Sequence, residues 1–280
     1  MGGVTVKEKI AKKIKHIILI IWLVLCIFPL YWLLAFSLKN NNEIFNGNPL
    51  ALPKVWQFEN YKSAMSVGNV LVYFRNSIFV TALTIVIVII TSVMASYALS
   101  RLIFVGRKML NILFVLGLTI PIHAALLPVF LILQKIGFLN SYASLIIPYS
   151  AFALSMAILI CNSFMAGIPY ELEDAACIDG CGTLGIFFRV IVPLMRPALS
   201  TIAIFTFLQA WNELMFATVF ISDSQHRTLT VGIQTLAGTY STNWGPIGAA
   251  LAIATFPTIV VYLFMSNKVQ QSLIAGAVKG

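Results

Sequence analysis

Six long stretches of this chain are almost free of charge, and they restrict what it can fold into more than any other feature. Ile17–Leu38, Asn76–Leu99, Met109–Leu133, Ala143–Met165 and Ile247–Ser266 contain no aspartate, glutamate, lysine or arginine, and Ala198–Ile221 contains one acid, Glu213. Apolar runs of about 20 residues cross a hydrocarbon core of roughly 30 Å as helices. Inside lipid each backbone N–H and C=O must pair within the protein, which leaves helices or closed barrels. The short alternating strands of a barrel are absent from this sequence. Only 10% of the residues are charged while 60% are hydrophobic, so the chain lacks the polar surface to cover a soluble globule, which is typically about 25% charged. The expected fold class is all-α, a polytopic membrane protein with six transmembrane helices.

Charge orients the spans. Lys7, Lys9, Lys12, Lys13 and Lys15 precede the first run, which is too long for the apolar part of a signal peptide and has no small-residue cleavage site after it. It reads as a retained span with its amino end in the cytoplasm. Six crossings return the carboxyl end to the same side and place twelve lysines and arginines inside against six outside, as the positive-inside rule requires. The expected organisation is a cytoplasmic amino-terminal segment 1–16, a six-span domain 17–268 with an inner loop at 169–197, and a cytoplasmic tail 269–280. The Asn-rich segment after Lys39 and the polar segment after Ile221 then lie outside.

The net charge of +9 does not point to nucleic acid, because the basic residues are spread over the loops without an interleaved aromatic platform. Cys26, Cys161, Cys177 and Cys181 lack the histidine or further cysteine that a zinc site needs. Gly180-x-Gly182-x-x-Gly185 satisfies the dinucleotide glycine spacing, but an acidic helix precedes it instead of a strand. No G-x-x-x-x-G-K-[ST] occurs, so ATP binding falls to another chain if it is needed at all.

The inner loop is the polar exception. Glu171, Glu173, Asp174 and Asp179 fall within nine residues and make up four of the nine acids in the protein. Pro169 presets a first helical turn, the acids favour the positive end of the helix dipole, and Gly180 suits a left-handed carboxyl cap. These signals predict a helix of about three turns, with Leu172, Ala175 and Ala176 on one face, and a second short helix from Thr183 to Arg189 that Pro193 stops. Small residues at Ser92, Ser96 and Ser100 predict close helix approach near the inner end of the second span. Glu213, as an intramembrane acid, is a functional candidate. With Trp211 and Asn212 it either lines a path, where the indole can stack on a sugar ring, or braces a neighbouring helix. His123, between Pro121 and Pro128, reads as a packing residue.

Leu172-Glu173-Asp174-Ala175-Ala176, then Asp179-Gly180, then Val190-Ile191-Val192-Pro193-Leu194 and Pro197-Ala198-Leu199 together resemble the EAA loop of ABC importer permeases. Asp174 stands at the family's glutamate, and Val190 and Val192 replace its isoleucine and leucine. Trp211-Asn212-Glu213 and the ending Ala275-Gly276-Ala277-Val278-Lys279-Gly280 are similar to sugar-importing permeases of the maltose-transporter type. The resemblance implies a bacterial-type plasma-membrane permease that moves a sugar or oligosaccharide by alternating access. In it, 169–197 would be a coupling loop seated on a separate ATPase subunit. The implied coupling residues are Glu171, Glu173, Asp174, Ala175, Ala176, Asp179, Gly180 and Pro193. Gly276, Ala277, Val278, Lys279 and Gly280 would make a second ATPase contact, and Trp211, Asn212 and Glu213 would belong to the path. It also implies a second homologous permease, two ATPase subunits that carry ATP and Mg, and an extracellular or periplasmic solute-binding protein, with no cofactor and no catalysis in this chain. The residues alone leave open an importer of a non-sugar solute, an ion-coupled secondary transporter and a pure assembly subunit.

Overall fold

The computed structural model describes residues 6–237 and 242–277. All regular elements among them are helical. Four helices are individually long and apolar enough to cross a membrane over Lys12–Ser37, Val70–Arg101, Ala143–Met165 and Trp244–Phe264, and two bent helix pairs raise the total to six. Pro121 and Pro128 interrupt the third run in the sequence and that span is broken accordingly, whereas the fifth differs from the unbroken span that the sequence suggests; each break has a local cause.

In chain order the helices are α1 (Val6–Ser37), α2 (Asn41–Asn46), α3 (Glu59–Ser66), α4 (Val70–Arg101), α5 (Arg107–Gly117), α6 (Leu126–Lys135) and α7 (Ala143–Met165). They continue as α8 (Glu171–Ile178), α9 (Thr183–Ile186), α10 (Val192–Leu194), α11 (Arg196–Trp211), α12 (Met215–Phe220), α13 (Leu229–Gln234) and α14 (Trp244–Ala277). The third expected span is α5 joined to α6 through a 3₁₀ turn at Ile122–Ala125, and the chain bends there by 99°. Pro121, extended at ψ 120°, has no N–H to continue a helical ladder. Pro128 sits in the first turn of α6, where no intrahelical donor is required.

The fifth expected span is corrected more substantially. α11 starts at Arg196 and ends at Trp211, so Asn212 and Glu213 sit at a break before the short α12 and not on a continuous helix to Ile221. Before α11, Pro193 does not stop the helical path. The proline cannot donate, and its ring would press on the carbonyl four residues back. The turn ahead of it widens to a π-helix at Phe187–Ile191, with the Val192 N–H on the Phe187 carbonyl. A bend of 70° follows between Thr183–Leu194 and Arg196–Trp211. At the other end of the chain, α14 runs on to Ala277, well past the expected end of the sixth span at Ser266.

The chain divides into two compact units, Met1–Val70 with Ile233–Thr255, and Leu71–Gly232 with Phe256–Gly280. In the first, the buried Asn60 amide donates to the carbonyls of Ser37 (2.9 Å) and Lys39 (3.0 Å), satisfying the groups left over where α1 ends. α14 approaches this corner through Gly245 and Gly248, where an added Cβ would come within 2.5 Å of Asn60 and Phe36 respectively. Ile17 to Leu25 of α1 are exposed all round, which suits a helix solvated by lipid. In the second unit one core joins α4, α7, the 176–195 region and α11, through residues such as Val93, Ala157, Met165, Ile191 and Ile202. Another gathers Val80, Leu145, Tyr149, Phe216 and Phe220 around α12. Ser92 and Ser96 are buried on α4, as their spacing suggests.

Asn60→Ala removes two carbonyl partners at once and should cost about 1–3 kcal/mol, read as a lower apparent melting temperature of the detergent-solubilised protein. An unchanged melting temperature would show that these carbonyls find other donors.

Candidate functional site

The acidic loop folds as α8, two turns long and shorter than the expected three. Glu171, Glu173 and Asp174 occupy its first turn, where backbone N–H groups lack partners and the helix dipole is positive. It ends as the sequence suggests. Gly180 has φ +81°, the Cys181 N–H reaches the Ala176 carbonyl at 2.9 Å, and the Gly180 N–H reaches that of Cys177 at 3.0 Å. These two bonds form the Schellman arrangement. A Cβ at Gly180 would meet nothing within 4 Å, so the glycine is required by the sign of φ and not by space. Gly182 then caps α9 through its backbone only, and Gly185 lies within that helix. The three glycines therefore sit in a helix–turn–helix and not on a strand-to-helix phosphate turn.

The structure splits the expected coupling residues between two faces. Glu171, Asp174, Ala175 and Asp179 are exposed, together with Leu172. Ile178 is 87% exposed, so acids and large apolar side chains share the outward face of α8, while Leu184 and Phe188 are exposed beyond the turn, Phe188 beside Ile90 and Met94 of α4. Glu173 and Ala176 do not belong to the outward face. Ala176 is buried in the core beside Met165, Ile186 and Ile191. The Glu173 carboxylate lies 2.8 Å from Arg101 Nε, with side chains only 13% and 4% exposed. Leu172, Ala175 and Ala176 thus do not form a single docking face. Pro193 serves the bend before α11. Gly276 and Ala277 lie in the last turn of α14, and Val278, Lys279 and Gly280 fall outside the described residues.

Arg101 is the functional candidate that sequence reading missed, having taken it only as a marker of the inner side. Its Nη2 donates to the carbonyls of Met165 (3.0 Å) and Ile168 (2.6 Å), and its guanidinium lies 3.9 Å from the Tyr170 ring centroid. The available signal was a lone arginine in the last turn of a long apolar helix, where cations favour the negative dipole end.

At the break after α11, Trp211 is buried, stacked on Phe207 (5.5 Å, 16°) and edge-on to Phe74 (5.7 Å, 85°). Its ring therefore offers no open face for a sugar in this conformation. Asn212 is exposed and donates to the Leu208 carbonyl at 2.9 Å. Glu213 is buried, and its carboxylate accepts from the Tyr149 hydroxyl (2.5 Å) and from the backbone N–H groups of Phe216 (2.8 Å) and Ala217 (3.1 Å). It thereby satisfies two of the unpaired donors that open α12. His123 packs edge-on against Phe216 at 6.2 Å. Beyond α12, Asn140 Oδ1 accepts from the Ser222 and Asp223 N–H groups. The Asp223 carboxyl is held below its usual range, first by the Gln225 backbone N–H and then by His226.

Two clefts accompany these features. One of about 360 Å³ lies between α7 and α11 and is lined by Ala153, Met156, Thr206 and Gln209. The other, of about 560 Å³ in the first unit, is lined by the amides of Asn40, Asn41, Gln57, Asn60 and Asn243. Among the described residues no group of His, Cys, Asp and Glu is placed to hold a metal ion.

Comparison with known proteins finds relatives along nearly the whole chain. The chain is 37% identical over 264 residues to a probable ABC transporter permease, YurM of Bacillus subtilis, covering 94% of this chain and 87% of that protein. It is 34% identical over 279 residues to the trehalose/maltose transport system permease MalG of Thermococcus litoralis, covering 98% and 99%. It is also 35% identical over 265 residues to the diacetylchitobiose uptake permease NgcG of Streptomyces coelicolor, covering 94% and 87%. Among solved structures, a chain of a bacterial ABC transporter that imports the acidic polysaccharide alginate superposes with a TM-score of 0.83. It is 21% identical, and the match covers 95% of this chain and 99% of that one, which shows a shared fold. Residues 88–274, from mid-α4 nearly to the end of α14, match the model of the binding-protein-dependent transport system inner membrane component, and the chain belongs to that family.

Proposed function

We propose that the chain passes a sugar or oligosaccharide, delivered by an external solute-binding protein, across the plasma membrane as one permease subunit of an ATP-driven importer. The observation that carries this reading is the outward surface of α8, where Glu171, Asp174 and Asp179 stand beside Leu172 and Ile178 in a family of binding-protein-dependent membrane components. Relatives named for trehalose and maltose or for diacetylchitobiose support a carbohydrate substrate.

The division of labour follows from chemistry the chain lacks and chemistry it has. It has no phosphate-binding lysine loop, so ATP and Mg belong to two ATPase subunits on the inner face. There α8 seats in a cleft, with Asp174 meeting a basic or polar group and Ile178 burying its side chain. The ending Gly276–Gly280 adds a second contact to the same subunits. Both termini lie in the cytoplasm, in keeping with the twelve-to-six division of lysine and arginine. A second homologous permease completes the pathway. Within this chain, Asn212 and the cleft that bears Thr206 and Gln209 offer polar groups to a passing sugar. Closure of the ATPase pair would shift α8 and, through the core that joins it to α4, α7 and α11, alternate the side on which the path opens.

Glu213 fits a brace better than a wall of the path, because Tyr149 and the first N–H groups of α12 already occupy its carboxylate. Glu213→Gln keeps an acceptor and should leave substrate preference unchanged. Glu213→Ala leaves buried donors unpaired and should destabilise by about 1–3 kcal/mol. Thermal unfolding with a transport assay on a panel of sugars checks both, and altered preference in the glutamine variant would assign Glu213 to the path.

Asp174→Lys tests the main reading. In the complete complex reconstituted in liposomes it should lower transport-coupled ATP hydrolysis by about tenfold or more, in the range of allosteric coupling free energies, while the chain remains in the membrane. Gly180→Pro should do the same by spoiling the turn. Full coupling in both variants would refute the proposal.

A further inference from the structure

α8 has eight residues, too few to hold a helix by itself, and it turns only Glu173 and Ala176 inward. Ala176 contributes little apolar area, so the directional attachment of the helix rests on Glu173. Its partner Arg101 is the last residue of α4. The pair meets at 2.8 Å, yet the Arg101 Nε–H is not aligned for a hydrogen bond, so the contact is electrostatic. The same guanidinium donates through Nη2 to the Met165 and Ile168 carbonyls where α7 ends. The flat face covers Tyr170, the residue before α8. One side chain therefore touches the end of α4, the end of α7 and both the entry and the first turn of α8. A lysine carries the charge but lacks the planar fork and the stacking face.

A second level of contact lies inside the membrane from this point. Asn162 on α7 accepts through Oδ1 from Ser96 and Ser100 on α4, the latter at 3.2 Å, and donates through Nδ2 to Asn111 on α5 at 3.2 Å. Cys161 and Ser92 continue the seam at 3.9 Å. α4 and α7 are thus keyed together over the last three turns of α4, and the arginine that caps their inner ends is the atom group that holds α8 to both.

We propose that Arg101 and Glu173 form a latch that ties the coupling helix to the inner ends of α4 and α7, so that a displacement of α8 moves these two spans as one body. Arg101 acts here as a positioning residue. The inference rests on reading α8 as the element that docks on the ATPase, and it assigns Glu173 to the permease side of that joint instead of the docking surface.

The test uses the complete complex of this chain with its second permease, ATPase subunits and solute-binding protein in liposomes, with MgATP and orthovanadate as probes. Binding-protein-stimulated ATP hydrolysis is measured beside the distance between spin labels at the native, exposed Cys177 on α8 and at Met94→Cys on α4, with Cys26, Cys161 and Cys181 replaced. In the parent protein the two labels should keep one separation when vanadate traps the nucleotide. Glu173→Gln should retain the ATPase subunits, reduce stimulation by about tenfold and let the label separation change on trapping. Arg101→Lys keeps the charge that faces Glu173 but not the fork or the stacking face, and should restore only part of the stimulation that Arg101→Ala loses. Because a lone buried charge can prevent folding, Arg101→Met with Glu173→Met serves as a second variant, expected to assemble and remain uncoupled. Parent-level stimulation with a fixed separation in Glu173→Gln or in the double variant would overturn the latch, and so would loss of the ATPase subunits from Glu173→Gln. Failure of Asp174→Lys to disturb coupling would instead remove the docking role of α8, so the two failures are distinguishable.

Discussion

Hydrocarbon offers no hydrogen-bond partners, and that constraint shapes every element of this chain. It enforces helices across the membrane, and it requires each break in a helix to be answered by a specific group. Where α11 ends, the Glu213 carboxylate takes up the donors of α12 and the Tyr149 hydroxyl. Where α7 ends, Arg101 takes up the carbonyls of Met165 and Ile168. Where Pro193 removes a donor, the preceding turn widens to a π-helix with the Val192 N–H still paired.

The same constraint connects structure to function. In the proposed importer α8 would be displaced from the cytoplasm and would have to transmit that movement into spans surrounded by fluid lipid. Apolar packing alone permits sliding, whereas directional polar contacts fix register. One line of directional contacts in the second unit runs from α8 through Arg101 to the Ser96, Ser100 and Asn162 seam. The outward face of α8, by contrast, leaves its acids and Ile178 unburied, as a surface does whose partner is another chain.

Much of this was legible in the residues. Uncharged runs located the four long apolar helices and both bent pairs, since lipid demands length and apolarity irrespective of tertiary detail. Gly180 marked the end of α8, because only a residue tolerant of positive φ fits there. Sequence reading failed where the outcome depended on three-dimensional neighbours. Pro121 marked the break in the third span, whereas the early end of α11 at Trp211 is one that a hydrophobic pattern cannot register. Glu173 looked equivalent to Asp174 one position on, yet a rotation of about 100° per residue turns one toward Arg101 and the other outward. Trp211, attractive as a sugar platform, is enclosed by Phe207 and Phe74.

The central claim is that the outward face of α8 is the seat of a cytoplasmic ATPase subunit. A photo-crosslinking residue placed at Ile178, the most exposed large apolar side chain of that helix, addresses it in native membranes without assuming a substrate. The account predicts one dominant adduct, identified by mass spectrometry as an ATP-hydrolysing subunit and formed from the cytoplasmic side. Adducts to lipid alone, or to a protein outside the cell membrane, would contradict it.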